Sequence, residues 1–288
     1  MSSNHSSHLP VLSLLLGATL WGVIWYPLRL LEQHGMAGLW TSLIMYLAAL
    51  VISLPVLWRC RAELSLHPWL LLMLALSAGW CNVSFVLAVI EGNVVRVLLL
   101  FYLSPLWAAL LGWLLLGERL SRFAWATFAL AMLGALIMLW DMDGGLPMPE
   151  QRADWLAIGA GFTFALSNVL VRKGQAVSVA VKTIAVWWGG TLLALLGILL
   201  TSVPAPDLSA ANVTAAVGLG WFGIVIMTFA VQYGVTHMPV HRSAVILLFE
   251  LVAGAVSASL LSNEIIHARD WIGGALVICA AYLSARQH

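Results

Sequence analysis

The chain has 288 residues, of which 62% are hydrophobic and 9% charged, with a mean hydropathy of +0.99. Soluble domains carry roughly 25% charged residues, so these few cannot cover a water-facing surface and most of the outside must face lipid. A net charge of +1 with no basic stripe leaves no footprint for nucleic acid, and Cys60, Cys81 and Cys279 have no spacing that frames disulfides or a zinc site.

A helix needs about twenty apolar residues to cross a membrane. Ten such segments follow in chain order, at 10–31, 38–58, 68–90, 94–116, 122–140, 154–171, 181–201, 214–236, 243–262 and 268–285. The first follows a short polar start without Lys or Arg and has no small-residue cleavage site, so it is expected to be a true span rather than a removed leader. The longest connection, 141–153, is rich in Gly, Pro and acid and reads as a linker between two halves, 1–146 and 147–288.

Lys and Arg set the expected orientation. With both termini cytoplasmic, the inner side holds Arg59, Arg61, Arg119, Arg122, Arg172, Lys173, Lys182, Arg242 and Arg286. The outer side holds Arg29, Arg96, Arg152 and Arg269, and nine against four obeys the positive-inside rule. The acidic linker, with Asp141, Asp143 and Glu150, then faces outward.

The halves repeat. Arg96 and Arg242, Glu118 and Glu264, and Trp125 and Trp271 are each separated by 146 positions. A weaker echo pairs Trp21…Arg29 with Phe164…Arg172. Five spans per half is odd, so the second half should be inverted relative to the first. Inverted repeats mark secondary transporters, whose site lies at the repeat interface near the midplane.

Trp21-Gly22, the run Leu103-Ser104-Pro105, and Leu116-Gly117-Glu118-Arg119-Leu120 together resemble the drug/metabolite transporter superfamily, in particular its ten-helix EamA-type exporters. The second half keeps Glu264 but has Leu251 where that family often has Pro and Asn263 where it often has Gly. The resemblance covers nearly the whole chain. It implies an all-α membrane protein of two inverted five-helix repeats that exports amino acids or related metabolites across a bacterial inner membrane. With 15 Trp, the chain resembles the branch handling aromatic and other amino acids. The resemblance also implies a central cavity formed by the first, third, fourth, sixth, eighth and ninth spans.

Polar groups inside a membrane are costly, so each needs a reason. Glu250 lies near the middle of the ninth span on a face with Ile246, Gly254 and Ser257. It reads either as a carboxylate for a proton or a substrate amine, or as the structural partner of an Arg or His. Its repeat equivalent is Ser104. Arg96 and Arg242 open their spans and read as snorkelling residues, while Glu118 and Glu264 close those spans and read as loop-ordering groups. Gly17, Trp21, Trp25 and Arg29 share a face, with Arg29 either an interfacial anchor or a partner for a substrate carboxylate. Asn82 and Asn168 are buried amides, helix glue or ligand contacts. Thr228, Gln232 and Thr236 form the clearest polar stripe, echoed more weakly by Thr183, Trp187 and Thr191.

Trp40, Trp58, Trp69, Trp125, Trp140, Trp155 and Trp271 fit interfacial belts. Deeper aromatics, Trp21, Trp25, Trp80, Phe85, Tyr102, Trp107, Phe164 and Tyr233, either face lipid or line an aromatic vestibule. The candidate pathway is therefore Trp21, Trp25, Asn82, Phe85, Tyr102, Ser104, Trp107, Phe164, Asn168, Trp187, Thr228, Gln232, Tyr233 and Glu250.

Enzyme signatures such as HExxH, GxSxG, a P-loop or GxGxxG are missing, and Asp141-Met142-Asp143-Gly144-Gly145 departs at once from a calcium loop. No catalytic residue, cofactor or metal is expected. The expectation is a monomeric secondary transporter of a small molecule, working in the bilayer by alternating access. The alternatives are an importer or uncoupled facilitator, and an intramembrane enzyme acting on lipid-linked substrates. Loops this short offer little docking surface for a receptor or assembly subunit.

Overall fold

The computed structural model describes residues 8–36, 38–92, 94–139, 149–206, 208–261 and 267–286. The division at 146/147, Trp140, Asp141, Asp143 and Glu264 lie outside them. The described residues are nearly all helical and include no strand. The first span is α1 (Leu9–Val23) continued by α2 (Trp25–Gln33), followed by α3 (Gly38–Arg59), a short α4 (Arg61–Leu66) and α5 (Pro68–Glu91). The fourth span is α6 (Val94–Phe101) and α7 (Ser104–Leu116), and α8 (Arg122–Leu139) ends the first half. In the second half come α9 (Arg152–Lys173) and α10 (Val179–Thr201). The eighth span joins α11 (Ala210–Gly218) to α12 (Val225–His237) through a π-helical turn at Leu219–Ile224. The ninth is α13 (Val240–Leu247) with α14 (Phe249–Leu261), and α15 (Ala268–Ala285) is last.

Among the described residues nine of these rods are long and apolar enough to cross a membrane. The tenth, α15, has 18 residues like α8, but Arg269 and Asp270 in its first turn dilute its hydropathy. It packs along α8. The two cross closely, and a Cβ on Gly134 or Gly273 would come within 2.7 or 2.5 Å of the other's carbonyl oxygen. Small residues permit such contact where lipid gives helices no hydrophobic reason to associate.

Three spans are broken. Pro27 cannot donate to the Val23 carbonyl, and α1 gives way to α2 at Ile24. Pro105 does the same to Phe101, and α6 ends there. The ninth span breaks at Leu248, the repeat equivalent of Tyr102, although Leu251 replaces the proline. That second break has no local sequence cause and belongs to the tertiary arrangement.

Packing between the halves is reciprocal. The sixth span lies against the third and fourth, and the first span lies against the eighth and ninth. Each half thus gives its first span to the third and fourth spans of the other. The Glu118 carboxylate, just past α7, accepts the Val240 N–H at the start of α13 at 2.8 Å. The end of the fourth span therefore meets the start of the ninth, its repeat equivalent, and the two run in opposite directions.

The outer faces carry exposed Leu, Val, Ile and Phe along most spans, while Trp58, Trp69, Trp125, Trp155 and Trp271 are each more than half exposed near helix ends. Trp80, in the middle of α5, is also half exposed and does not line the cavity described below.

Candidate functional site

The broken fourth and ninth spans meet near their middles and, with the sixth, line a cavity. Phe101, Tyr102, Ser104, Pro105 and Ala108 line it from the fourth span, Phe164 and Asn168 from the sixth, and Ala244, Leu247, Leu248 and Glu250 from the ninth. Its volume is about 20 Å³, room for roughly one water molecule. In this conformation the site holds nothing larger than that.

Glu250 stands in the first turn of α14, where the helix dipole favours a carboxylate. Its carboxyl faces the Tyr102 hydroxyl from across the repeat interface. Among the described residues no Lys, Arg or His nitrogen lies within 4.0 Å of it. In this conformation the described residues thus supply Glu250 with no cationic partner. Ser104 and Asn168 are 4% and 5% exposed and have no side-chain hydrogen bond among the described residues, leaving their polar atoms for the cavity. Aromatic rings back this surface. Phe101 lies 4.9 Å from Phe85, 5.4 Å from Tyr102 and 5.7 Å from Phe164, centroid to centroid. The sequence reading missed Phe101, whose signal was its place four residues before Pro105, where the helix must open.

The first span braces the Glu250 turn. A Cβ on Gly22 would lie 2.7 Å from the Glu250 carbonyl oxygen and 2.7 Å from the Ala253 Cβ, so only glycine allows the observed approach. Trp25 Nε1 donates to Ser257 Oγ at 2.8 Å, and that hydroxyl donates to the carbonyl of either Gly22 (3.0 Å) or Gly254 (2.9 Å). The Arg29 guanidinium lies over the Trp25 ring, 5.2 Å from its centroid. In Trp21-Gly22 it is thus the glycine that approaches the site, while Trp21 packs into the core beside it.

The remaining candidates lie elsewhere. Trp187 Nε1 donates to Thr228 Oγ1 at 2.8 Å, and the Thr228 hydroxyl donates to the Ile224 carbonyl beside the π-helical turn. Asn82 Nδ2 reaches the Tyr46 hydroxyl at 3.5 Å, whereas Asn82 Oδ1, Gln232 Oε1 and Trp107 Nε1 are buried without partners among the described residues. Tyr233 stacks on His237 at 4.2 Å. Tyr102, Ser104, Phe164, Asn168 and Glu250 therefore line the cavity, Phe85 backs it, and Trp25 braces it. Trp21, Asn82, Trp107, Trp187, Thr228, Gln232 and Tyr233 do not line it in this conformation. Trp21 and Gln232, both in the candidate pathway, thus lie outside this lining.

Polar clusters close the two ends. At one, Glu118 holds the Val240 N–H together with Arg172 at 3.4 Å and His241 at 3.7 Å. Burial pushes the Glu118 carboxyl up, but His241, the Val240 N–H and Arg172 together hold it below the usual carboxylate range. Arg172 and Gln175 both donate to the Thr236 carbonyl. Lys182 is fully buried and donates to the Val171 and Gly174 carbonyls and to Thr236 Oγ1 at 2.8 Å. Counted from the sequence only as an inner-side cation, it caps the end of the sixth span, whose last carbonyls lack helical partners. At the other end Arg96 pairs with Asp154 at 2.9 Å, and Asp154 also accepts the Glu150 and Gln151 N–H groups. Arg96 is thus no snorkelling side chain, and Arg242 likewise donates to the Ser284 and Ala285 carbonyls at the end of α15. Helix-end acceptors and a buried carboxylate are better partners for a guanidinium than the lipid interface.

The model of the EamA-like transporter family matches residues 8–140 and 151–286. Protein RarD of Salmonella typhi is 37% identical over 123 residues, 42% of this chain and 39% of that protein. Protein RarD of Escherichia coli (strain K12) is 35% identical over 123 residues, 42% of this chain and 38% of that protein. An uncharacterized transporter of Pseudomonas aeruginosa is 28% identical over 179 residues, covering 58% and 56%. The chain thus spans between about two fifths and just over half the length of these relatives. One crystal structure of a protein at 18% identity has a TM-score of 0.76 and covers 99% of this chain and 100% of that one, a likeness of fold.

Proposed function

Because this chain belongs to the EamA-like transporter family it is a multi-pass membrane transporter, and we propose that it exports amino acids, aromatic ones among them, or related small metabolites across the bacterial inner membrane. The observation that carries this reading is Glu250: a carboxylate with no cationic partner among the described residues, in a cavity bounded by two broken spans from opposite repeats. Broken spans at the midplane present half-helix ends to a substrate, and a carboxylate there needs a use. Rocking of one repeat against the other would open the cavity to each side in turn. The small cavity is the contracted form that such rocking would widen, with the Glu118 cluster joining the two repeats at one end.

We assign the Glu118 end to the cytoplasm. Arg172, Lys182, His241 and Arg242 gather there. Glu63 of α4 also accepts the Ser178 N–H, joining the connection with Arg59 and Arg61 to the same end. Both termini are then cytoplasmic under the positive-inside rule.

Counterflow into liposomes containing the purified protein, with a panel of labelled amino acids, tests the function. Saturable exchange of one or more of them, recovered chemically unchanged, is expected. Glu250→Gln should cut exchange at least tenfold at an unchanged melting temperature, because the amide still faces Tyr102 and strands no cation. Full exchange by that variant removes Glu250 from the mechanism, and chemical conversion of the substrate would favour the enzyme alternative.

A further inference from the structure

The ligand class can be narrowed, on the reading that this cavity is the substrate site. Among the lining residues Glu250 supplies the one formal charge, and Tyr102, Ser104 and Asn168 supply neutral polar atoms. The nearby cations are committed elsewhere: Arg96 to Asp154, Arg172 to Glu118, and Arg242 to the carbonyls ending α15. Nor do the half-helix N-termini offer a strong anion seat. The α14 terminus already carries Glu250 in its first turn, and Pro105 removes a donor from the first turn of α7.

An ammonium entering here finds a carboxylate and the aromatic side chains of Phe101, Tyr102 and Phe164. A substrate carboxylate finds no counter-charge and adds a second negative charge beside Glu250 in a poorly solvated space. We infer that the cavity reads its substrate by the amine alone, and that its preferred ligands are monoamines with a flat apolar body, bound as ammonium ions in preference to the parent zwitterionic amino acids. Asn168 and Ser104 are placed to take the remaining ammonium protons or a small polar group on the body.

Three probes that share one ring test this: phenethylamine, phenylalanine and N-acetylphenylalanine, titrated calorimetrically into the purified full-length protein and used to inhibit counterflow. Phenethylamine should bind about tenfold or more tightly than phenylalanine, because an unpaired buried carboxylate is costly, and N-acetylphenylalanine should not bind. Glu250→Gln should abolish the preference for phenethylamine. The comparison on the unaltered chain decides the matter even if that variant folds poorly. Phenylalanine bound as tightly as phenethylamine or more so, or binding of N-acetylphenylalanine, overturns the inference. If phenylalanine is also exchanged, amino-acid transport stands without it. Binding of none of the three overturns the inference together with the assignment of this cavity to such substrates.

Discussion

Replacing Glu118 tests whether the cluster at the end of the fourth span holds the two repeats together. In Glu118→Ala the Val240 N–H loses a charged acceptor at 2.8 Å, a loss of about 1.5–3 kcal/mol. The Arg172 pair at 3.4 Å, with the arginine side chain 28% exposed, adds about 0.5–1 kcal/mol after solvent screening. The variant should therefore be about 2–4 kcal/mol less stable. Glu118→Gln keeps a neutral acceptor for Val240 and should lose roughly half as much. Because the folded carboxyl titrates below its ordinary range, its contribution is present above a pH of about 4.3 and is lost as pH falls through the lower folded value. Melting of the purified protein in detergent, followed from pH 7 down to about pH 2, measures both effects. At neutral pH the order should be native, Gln, Ala, with the gaps narrowing at the acid end. A Glu118→Ala protein that melts with the native one at pH 7, or a gap that widens on acidification, would refute the reasoning.

Two neighbouring glycines should behave differently. Gly22→Ala drives a methyl into the Glu250 carbonyl and Ala253 and should cost about 1–3 kcal/mol, whereas Gly254→Ala meets only the Gly22 carbonyl at 3.6 Å and should be tolerated. Equal melting temperatures for the two variants would show that the first and ninth spans are less closely packed than described. Trp187→Phe gives up the Thr228 bond, worth about 1 kcal/mol, but should leave counterflow intact because Trp187 lies outside the cavity lining. A tenfold loss of exchange in a well-folded Trp187→Phe protein would move the pathway toward the seventh and eighth spans. For orientation, Gly145→Cys should react with an impermeant maleimide in intact cells, and labelling only after permeabilisation would reverse the topology.

Much of this molecule could be read without coordinates. Membrane crossing follows from hydropathy alone, since lipid accepts only long apolar helices with satisfied backbones. The repeat was visible in Arg96, Glu118 and Trp125 and their equivalents, and an odd number of spans per half required inversion. The break at Phe101 was foreshadowed by Pro105, and Glu250 by the cost of its charge. Which faces meet was less legible. Between lipid and a helix interior there is no polarity contrast to mark the buried side, so an apolar span carries little record of its rotation about its own axis. Trp21 and Gln232 accordingly fell outside the cavity, while Phe101 entered it. The break at Leu248 has no proline beneath it, the acceptor of Arg96 lies 58 positions away at Asp154, and Lys182 caps the carbonyls of a span that precedes its own. Tertiary structure decided these because each depends on unsatisfied backbone or charged groups brought together by helix packing, and the energy of those pairings is written in no local stretch of chain.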